Sequence, residues 1–234
     1  MTKSYGKALS VLVATMLTAT LAWSYVALAS PGSPGKFSGN PDAGLSDAQK
    51  QAKVDSAHAA DDQFLAAFVR SGEDPRSLPE AEVESWSAVP ANISDAIAGA
   101  DVILSGQVTA VAFRPGIGGS LPISTATVAV STLSKGASSS LVHVTQLGGP
   151  VAWGPNGSLV HLDKDELILP GDTVTLFLKI AKDGTLRTLP GVGVYWSHGG
   201  AISAEDSNPF RDKVSLLPEA AFKTLIESAI ASGH

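Results

Sequence analysis

After a helical turn or two over residues 94–99 the chain stops repeating at helical spacing and begins to alternate, and this change of period constrains its fold more than any other feature. Ile123, Thr125, Thr127, Ala129 and Ser131 fall on one parity, while Ser124, Ala126, Val128 and Val130 fall on the other. Residues 141–147 repeat the pattern. Residues 102–113 read as a longer strand with Gly106 in its middle, which predicts a bulge or sharp bend. Residues 173–180 are dense in β-branched and aromatic side chains, and Lys182-Asp183-Gly184 supplies the turn by which residues 185–189 return beside them. Residues 192–196 and 201–203 make a last hairpin through His198-Gly199-Gly200. Residues 114–121 and 148–158 are loops, residues 159–161 and 167–169 are short extended pieces, and Pro170-Gly171-Asp172 is a turn.

Before this region the periodicity is helical. Ser46 and Gln49 have capping-box spacing, and Ser71-Gly72 closes the helix they open. Its face of Ala57, Ala60/Asp61, Phe64 and Phe68 follows a helical repeat, whereas its first half is alanine-rich and polar and has little to bury. Ser77 and Glu80 repeat the capping spacing and predict a short helix over residues 79–86. Residues 46–90 are therefore expected to form a helical stalk or packing arm, with a partner-binding helix as the other reading. At the far end, residues 205–234 form a loop and a helix. Pro218 stands in the first turn, and Ala221, Phe222, Leu225, Ile226, Ala229 and Ile230 lie on the apolar stripe.

Several short, mostly hairpin-connected strands with a bent first strand predict a mainly β domain over residues 91–204. The closest match is a small OB-like β-barrel, with an open β-sandwich as the alternative. Charged residues make up only 16% of the chain while it holds 23 glycines and 14 prolines, a balance that suits a turn-rich β protein.

Residues 8–29 carry no charge and are entered through Lys3 and Lys7, with no acid among the first 29 residues. A run of that length spans a hydrocarbon core of about 30 Å as a helix, and the basic entry orients the following body away from the cytoplasm. Two readings compete. A signal peptide would be cut after the small-x-small exit Ala27-Leu28-Ala29. A retained anchor fits the length of the run and the aromatics Trp23 and Tyr25 near its outer end. Either way the body is expected to be extracytoplasmic, with the membrane met through this segment alone. Residues 30–45, rich in Pro, Gly and Ser, read as a flexible linker. The formal charge is −6, and two units more negative without the leader's lysines, which argues against nucleic acid as a partner. There is no cysteine, so neither a disulfide nor a lipidated thiol is available.

The order of the strand motifs resembles a known set. Residues 100–108 (ADVILSGQV) come first, then a β-branched strand ending in Leu133-Ser134-Lys135-Gly136. Gln146-Leu147-Gly148-Gly149 follows, and Leu169-Pro170-Gly171-Asp172 precedes Leu176-Phe177-Leu178. In this the chain resembles exported bacterial domains of unknown function that are similar in outline to the TIMP/netrin-like branch of OB barrels. The resemblance covers residues 94–203. It implies a barrel fold and an extracytoplasmic setting, and carries no catalytic residue. TIMP and netrin modules pin their barrels with cysteines, which this chain lacks.

Candidate chemistry is sparse. Residues 169–174 compare with a segment of type I signal peptidases, but those enzymes need a serine just before a methionine. The only methionines are Met1 and Met16, and neither Lys135 nor Lys179 has such a serine partner. His161, Asp163 and Asp165 would point three ligands one way if their segment is extended, a spacing open to a divalent cation; the alternative is a solvated acidic loop. Trp153, Tyr195 and Trp196, with Asn156 and His198 as hydrogen-bonding neighbours, are candidates for a ligand-binding platform at a barrel mouth, against core or rim packing. The sequence thus points to an exported, membrane-tethered or secreted binding module for a peptide, glycan or envelope protein. Rival readings are a metal-assisted hydrolase and a spacer without a ligand. No cofactor is expected beyond a possible divalent cation.

Overall fold

The computed structural model describes residues 44–84, 88–116, 121–162 and 165–232. The apolar leader and its Ala27/Ala29 exit lie outside these residues, as does the linker up to residue 43. No helix among the described residues is long and apolar enough to cross a membrane.

Five strands close into a barrel. These are β2 (Val102–Arg114), β3 (Ile123–Lys135), β4 (Leu141–Val151), β6 (Thr173–Ile180) and β7 (Leu186–Thr188). Neighbours β2–β3, β3–β4, β2–β6 and β6–β7 are antiparallel. The ring shuts where β7 runs parallel to β4, through Val144↔Leu186 and Thr145↔Arg187. Four strands extend the sheet beyond the ring. β5 (Ser158–Leu162) pairs with the end of β4 and β1 (Glu80–Val83) with β5, while β8 (Val194–His198) pairs with β6 and β9 (Ala201–Ser203) with β8. The fold is therefore mainly β, with a closed five-stranded barrel, four outer strands and flanking helices.

Alternation sorts the side chains into two cores. Val102 and Leu104 of β2, Val128 of β3, Val144 of β4 and Leu176 and Leu178 of β6 fill the barrel. The intervening Ile103 and Phe177 point outward, where Tyr195 of β8 and Ile202 of β9 join them beneath the helices α2 (Ile93–Gly99), α3 (Arg211–Val214) and α4 (Glu219–Ala231). Helix α4 presents Phe222 and Ile226 to this layer, as its stripe predicts. The predicted bend at Gly106 is real. The β2–β3 register shifts between Ser105 and Gly106, and a Cβ at Gly106 would sit 2.3 Å from the Ala129 carbonyl oxygen.

Three expectations change. Residues 148–151 are not a loop but the continuation of β4. Gly148 and Gly149, at φ +134° and +155°, turn the strand out of the barrel so that it pairs with β5, in a conformation other residues rarely adopt. Residues 79–86 do not begin a helix. Asp74 caps a 3-10 turn, Pro75–Ser77, by accepting from the Arg76 N–H at 3.0 Å, and Glu80–Val83 is β1, whose burial alternates because its backbone is claimed by β5. Leu162 and Asp165 do not follow one another along an extended strand: the Asp165 N–H donates to the Leu162 carbonyl at 3.0 Å, while Asp163 and Lys164 lie outside the described residues.

Helix α1 (Asp47–Ser71) begins with the expected box, Ser46 and Gln49 exchanging side-chain-to-backbone bonds of 2.8 and 3.3 Å. Its second half packs on the outer sheet, where Phe68 joins Leu78, Leu159, Leu167 and Leu169, and Phe64 stacks beside Phe68.

Candidate functional site

The aromatic residues expected to frame a ligand face do not converge. Tyr195 and Trp196 are consecutive on β8 and so face opposite sides of the sheet. Tyr195 is wholly enclosed in the helix-side core, its ring 5.1 Å from that of Phe177 and 4.9 Å from that of Phe222. Trp196 is buried with the barrel core. Trp153 is half-buried between β4 and β5, its carbonyl accepting from the Ser158 hydroxyl at 3.0 Å. Asn156 is exposed in the turn before β5, and His198 is exposed at the end of β8, so the two come from different parts of the chain.

Of the metal candidates, Asp163 lies outside the described residues. His161 is only 3% exposed. It sits on β5 directly beside Glu82 of β1, since Glu82↔His161 is a register pair of the parallel ladder. The turn after Leu162 carries Asp165 into a different set of contacts. Its carboxylate accepts from the Thr188 hydroxyl at 2.9 and 3.1 Å and from the Gln146 amide at 3.3 Å. Gln146 is buried and also bonds the Glu166 carbonyl and the Ile168 N–H, both at 3.0 Å. The group that gathers around His161 instead is Glu82, His161 and Glu205, with one ligating atom of each within 4.8 Å of the others.

Electrostatics mark this region. Burial pushes the Asp165 carboxyl up to about 6, against the opposing effect of its hydrogen bonds and of His161. Burial likewise pushes Glu205 up to about 7; the neighbouring Glu166 and Asp165 add to the rise, while its bond from the Glu166 N–H opposes it. Glu166 is raised by burial and by the charges of Glu80, Asp172 and Asp206. Among the described residues no lysine or arginine forms an ion pair with Glu82, Asp165, Glu166 or Glu205. The cavity between Asp165, Glu205 and Asn208 measures about 10 Å³, room for one water molecule and not for a substrate.

The space for a ligand lies elsewhere. A groove of about 380 Å³ runs between α4 and the outer wall of β2, β3 and β6. Ser105, Thr132, Ser134 and Thr175 contribute hydroxyls, and α4 contributes the exposed Glu219 and Lys223 and the edges of Phe222 and Ile226. Ser105 and Thr175 are bonded to each other at 2.8 Å, and Glu219 accepts from the Ser197 hydroxyl at 3.0 Å. Thr132 and Ser134 make no side-chain hydrogen bond to the protein among the described residues. The groove and the His161 group share no lining residue.

Sequence reasoning missed both assemblies. Glu82 carried a signal, because Glu80-Ala81-Glu82-Val83 alternates polar with apolar, but capping spacing drew it into a helix. Glu205 gave none, being brought in from the end of the domain. The groove hydroxyls come from three strands, and Thr132 and Ser134 continue the parity of Ala126 and Val128, so no local pattern marks them as one wall; only the placement of α4 makes them concave. Compared with models of protein families and with curated proteins, the chain finds no match.

Proposed function

We propose that this chain is an exported β-barrel binding module that takes a glycan fragment in the groove beside α4. The groove itself carries the reading. Its volume falls in the range of roughly 300–1,000 Å³ usual for small-molecule sites, and its lining suits a polyhydroxylated ligand. Hydroxyls both donate and accept, so Thr132 and Ser134 can serve either sense of a sugar O–H. Lys223 and Glu219 supply a charged donor and acceptor one helical turn apart.

Two further features support this reading. The ring places β2 between β3 and β6 and shuts with β4 parallel to β7. This order supports reading the ring as an OB-type barrel, an architecture that often binds oligosaccharides. The leader fits delivery beyond a membrane, either as a tether or with cleavage after Ala29. In place of the aromatic platform expected at Trp153, Tyr195 and Trp196, recognition rests on hydroxyls and two charges.

Titration of the full-length protein in detergent with a panel of envelope glycan fragments, followed by calorimetry and by NMR shifts, tests the assignment. Binding is expected to move signals of Thr132, Ser134 and Lys223, and Thr132→Val or Lys223→Ala should each weaken it about 10-fold. A panel that gives no binding, or affinities that neither substitution changes, would overturn it.

A further inference from the structure

The geometry points to a divalent metal site of the zinc or manganese class formed by Glu82, His161 and Glu205. The three side chains come from β1, β5 and the segment after β9, and one ligating atom of each lies within 4.8 Å of the other two, close enough to share one cation.

This is not an acidic patch alone. His161 is 3% exposed, and its Nδ1 lies 2.9 Å from the Leu162 carbonyl. A carbonyl only accepts, so Nδ1 carries a proton, and the nitrogen left for a metal is Nε2, which has no hydrogen-bond partner among the described residues. An imidazole held through Nδ1–H by a main-chain carbonyl is the arrangement that orients a metal-binding histidine. Glu205 brings a half-buried carboxylate to the same place, and among the described residues no lysine or arginine forms an ion pair with it.

The donor set selects the ion. One imidazole nitrogen and two carboxylate oxygens suit Zn²⁺ or Mn²⁺, whereas Ca²⁺ and Mg²⁺ favour oxygen alone. Three protein ligands leave the remaining positions to water. The cavity that touches Glu205 measures about 10 Å³ and has no room for a substrate, so the ion is assigned a structural role. It ties β1, which among the described residues pairs with β5 alone, to the segment after β9, and closes two long loops in a chain that has no cysteine to do so.

The test is calorimetric titration and thermal unfolding of the chelator-stripped full-length protein in detergent with Zn²⁺, Mn²⁺ and Ca²⁺, beside Glu82→Gln and Glu205→Gln. Glu82 is exposed, so its substitution leaves the fold intact while removing a ligand. One equivalent of Zn²⁺ or Mn²⁺ should bind, and raise Tm by about 5–10 °C at ~100-fold excess over Kd. Each variant should lose at least ~10-fold in affinity, and Co²⁺ substitution should give a visible spectrum that both variants alter. No saturable binding of Zn²⁺ or Mn²⁺ would overturn the assignment. So would a response to Ca²⁺ only, or binding that both variants keep unchanged.

Discussion

Tyr195 buries its ring completely, yet its hydroxyl reaches no hydrogen-bond partner among the described residues; Asn208 is its polar neighbour without completing the geometry. Burial accordingly pushes its ionisation upward. A buried hydroxyl without a partner is a net cost, so removing it leaves the packing intact and relieves that cost. Tyr195→Phe is therefore expected to leave stability unchanged or raise it by about 1 kcal/mol, read from the denaturant midpoint. The same substitution would destabilise the protein if the hydroxyl anchored the helix layer. Residue identity gave little warning here. A tyrosine beside a tryptophan reads as a binding pair, and only the parity of β8 shows that the two rings serve separate cores. His161 was similarly masked by the acids that follow it, which suggest a solvated loop, although the preceding Ser158–Val160 already belongs to a buried strand.

At the scale of elements, α1 is held by a narrow contact. The ring of Phe64 lies over Gly157, where an added Cβ would come within 2.0 Å of the ring, and Gly157 sits at φ +79°. The Asp61 carboxylate also accepts from the Ala152 N–H at 2.9 Å. Gly157→Ala should displace Phe64 and loosen the second half of α1 without unfolding the barrel. Limited proteolysis should then cut within residues 57–71 several-fold faster than in the parent, while the cooperative melting of the remainder persists. An unchanged cleavage rate would count against this contact as the clamp. The limits of α1, β3, β6, β9 and α4 were legible because caps, alternation and apolar stripes all speak within a few residues. The extension of β4, the turn at residues 162–165 and the strand β1 were not. Each is decided by a partner distant in sequence, and pairing with β5 overrides what the local residues prefer.

For the molecule as a whole, the junction of α2 with the barrel depends on Asp101. Its carboxylate accepts from the Ile180 N–H and from the Lys179 ammonium, each at 2.9 Å. The backbone bond first, then the lysine, holds its carboxyl below the usual range. The folded protein thus binds this proton less readily than the unfolded chain. The stabilisation is complete above the ordinary aspartate value, near pH 4, and is lost as the pH falls through the lower folded value. Asp101→Asn should be less stable than the parent at pH 7, and the two stability curves should converge below about pH 4. Parallel curves across that range would show that the charge plays no part. The overall class was readable from period alone. The closure of the ring was not, because the parallel contact of β4 with β7 rests on two residue pairs that carry no local signal.

The double-sided burial of β2's first half, β6 and β8 has a consequence for what this chain can tolerate in descent. In β3 and in the first half of β4 every second position is free to drift, so polar replacements can accumulate there on one parity. In Val102-Ile103-Leu104, Leu176-Phe177-Leu178 and Val194-Tyr195-Trp196 neither parity is free, since each step along the chain enters one interior or the other. Those three short tracts are where diverging copies of this protein would stay recognisable longest.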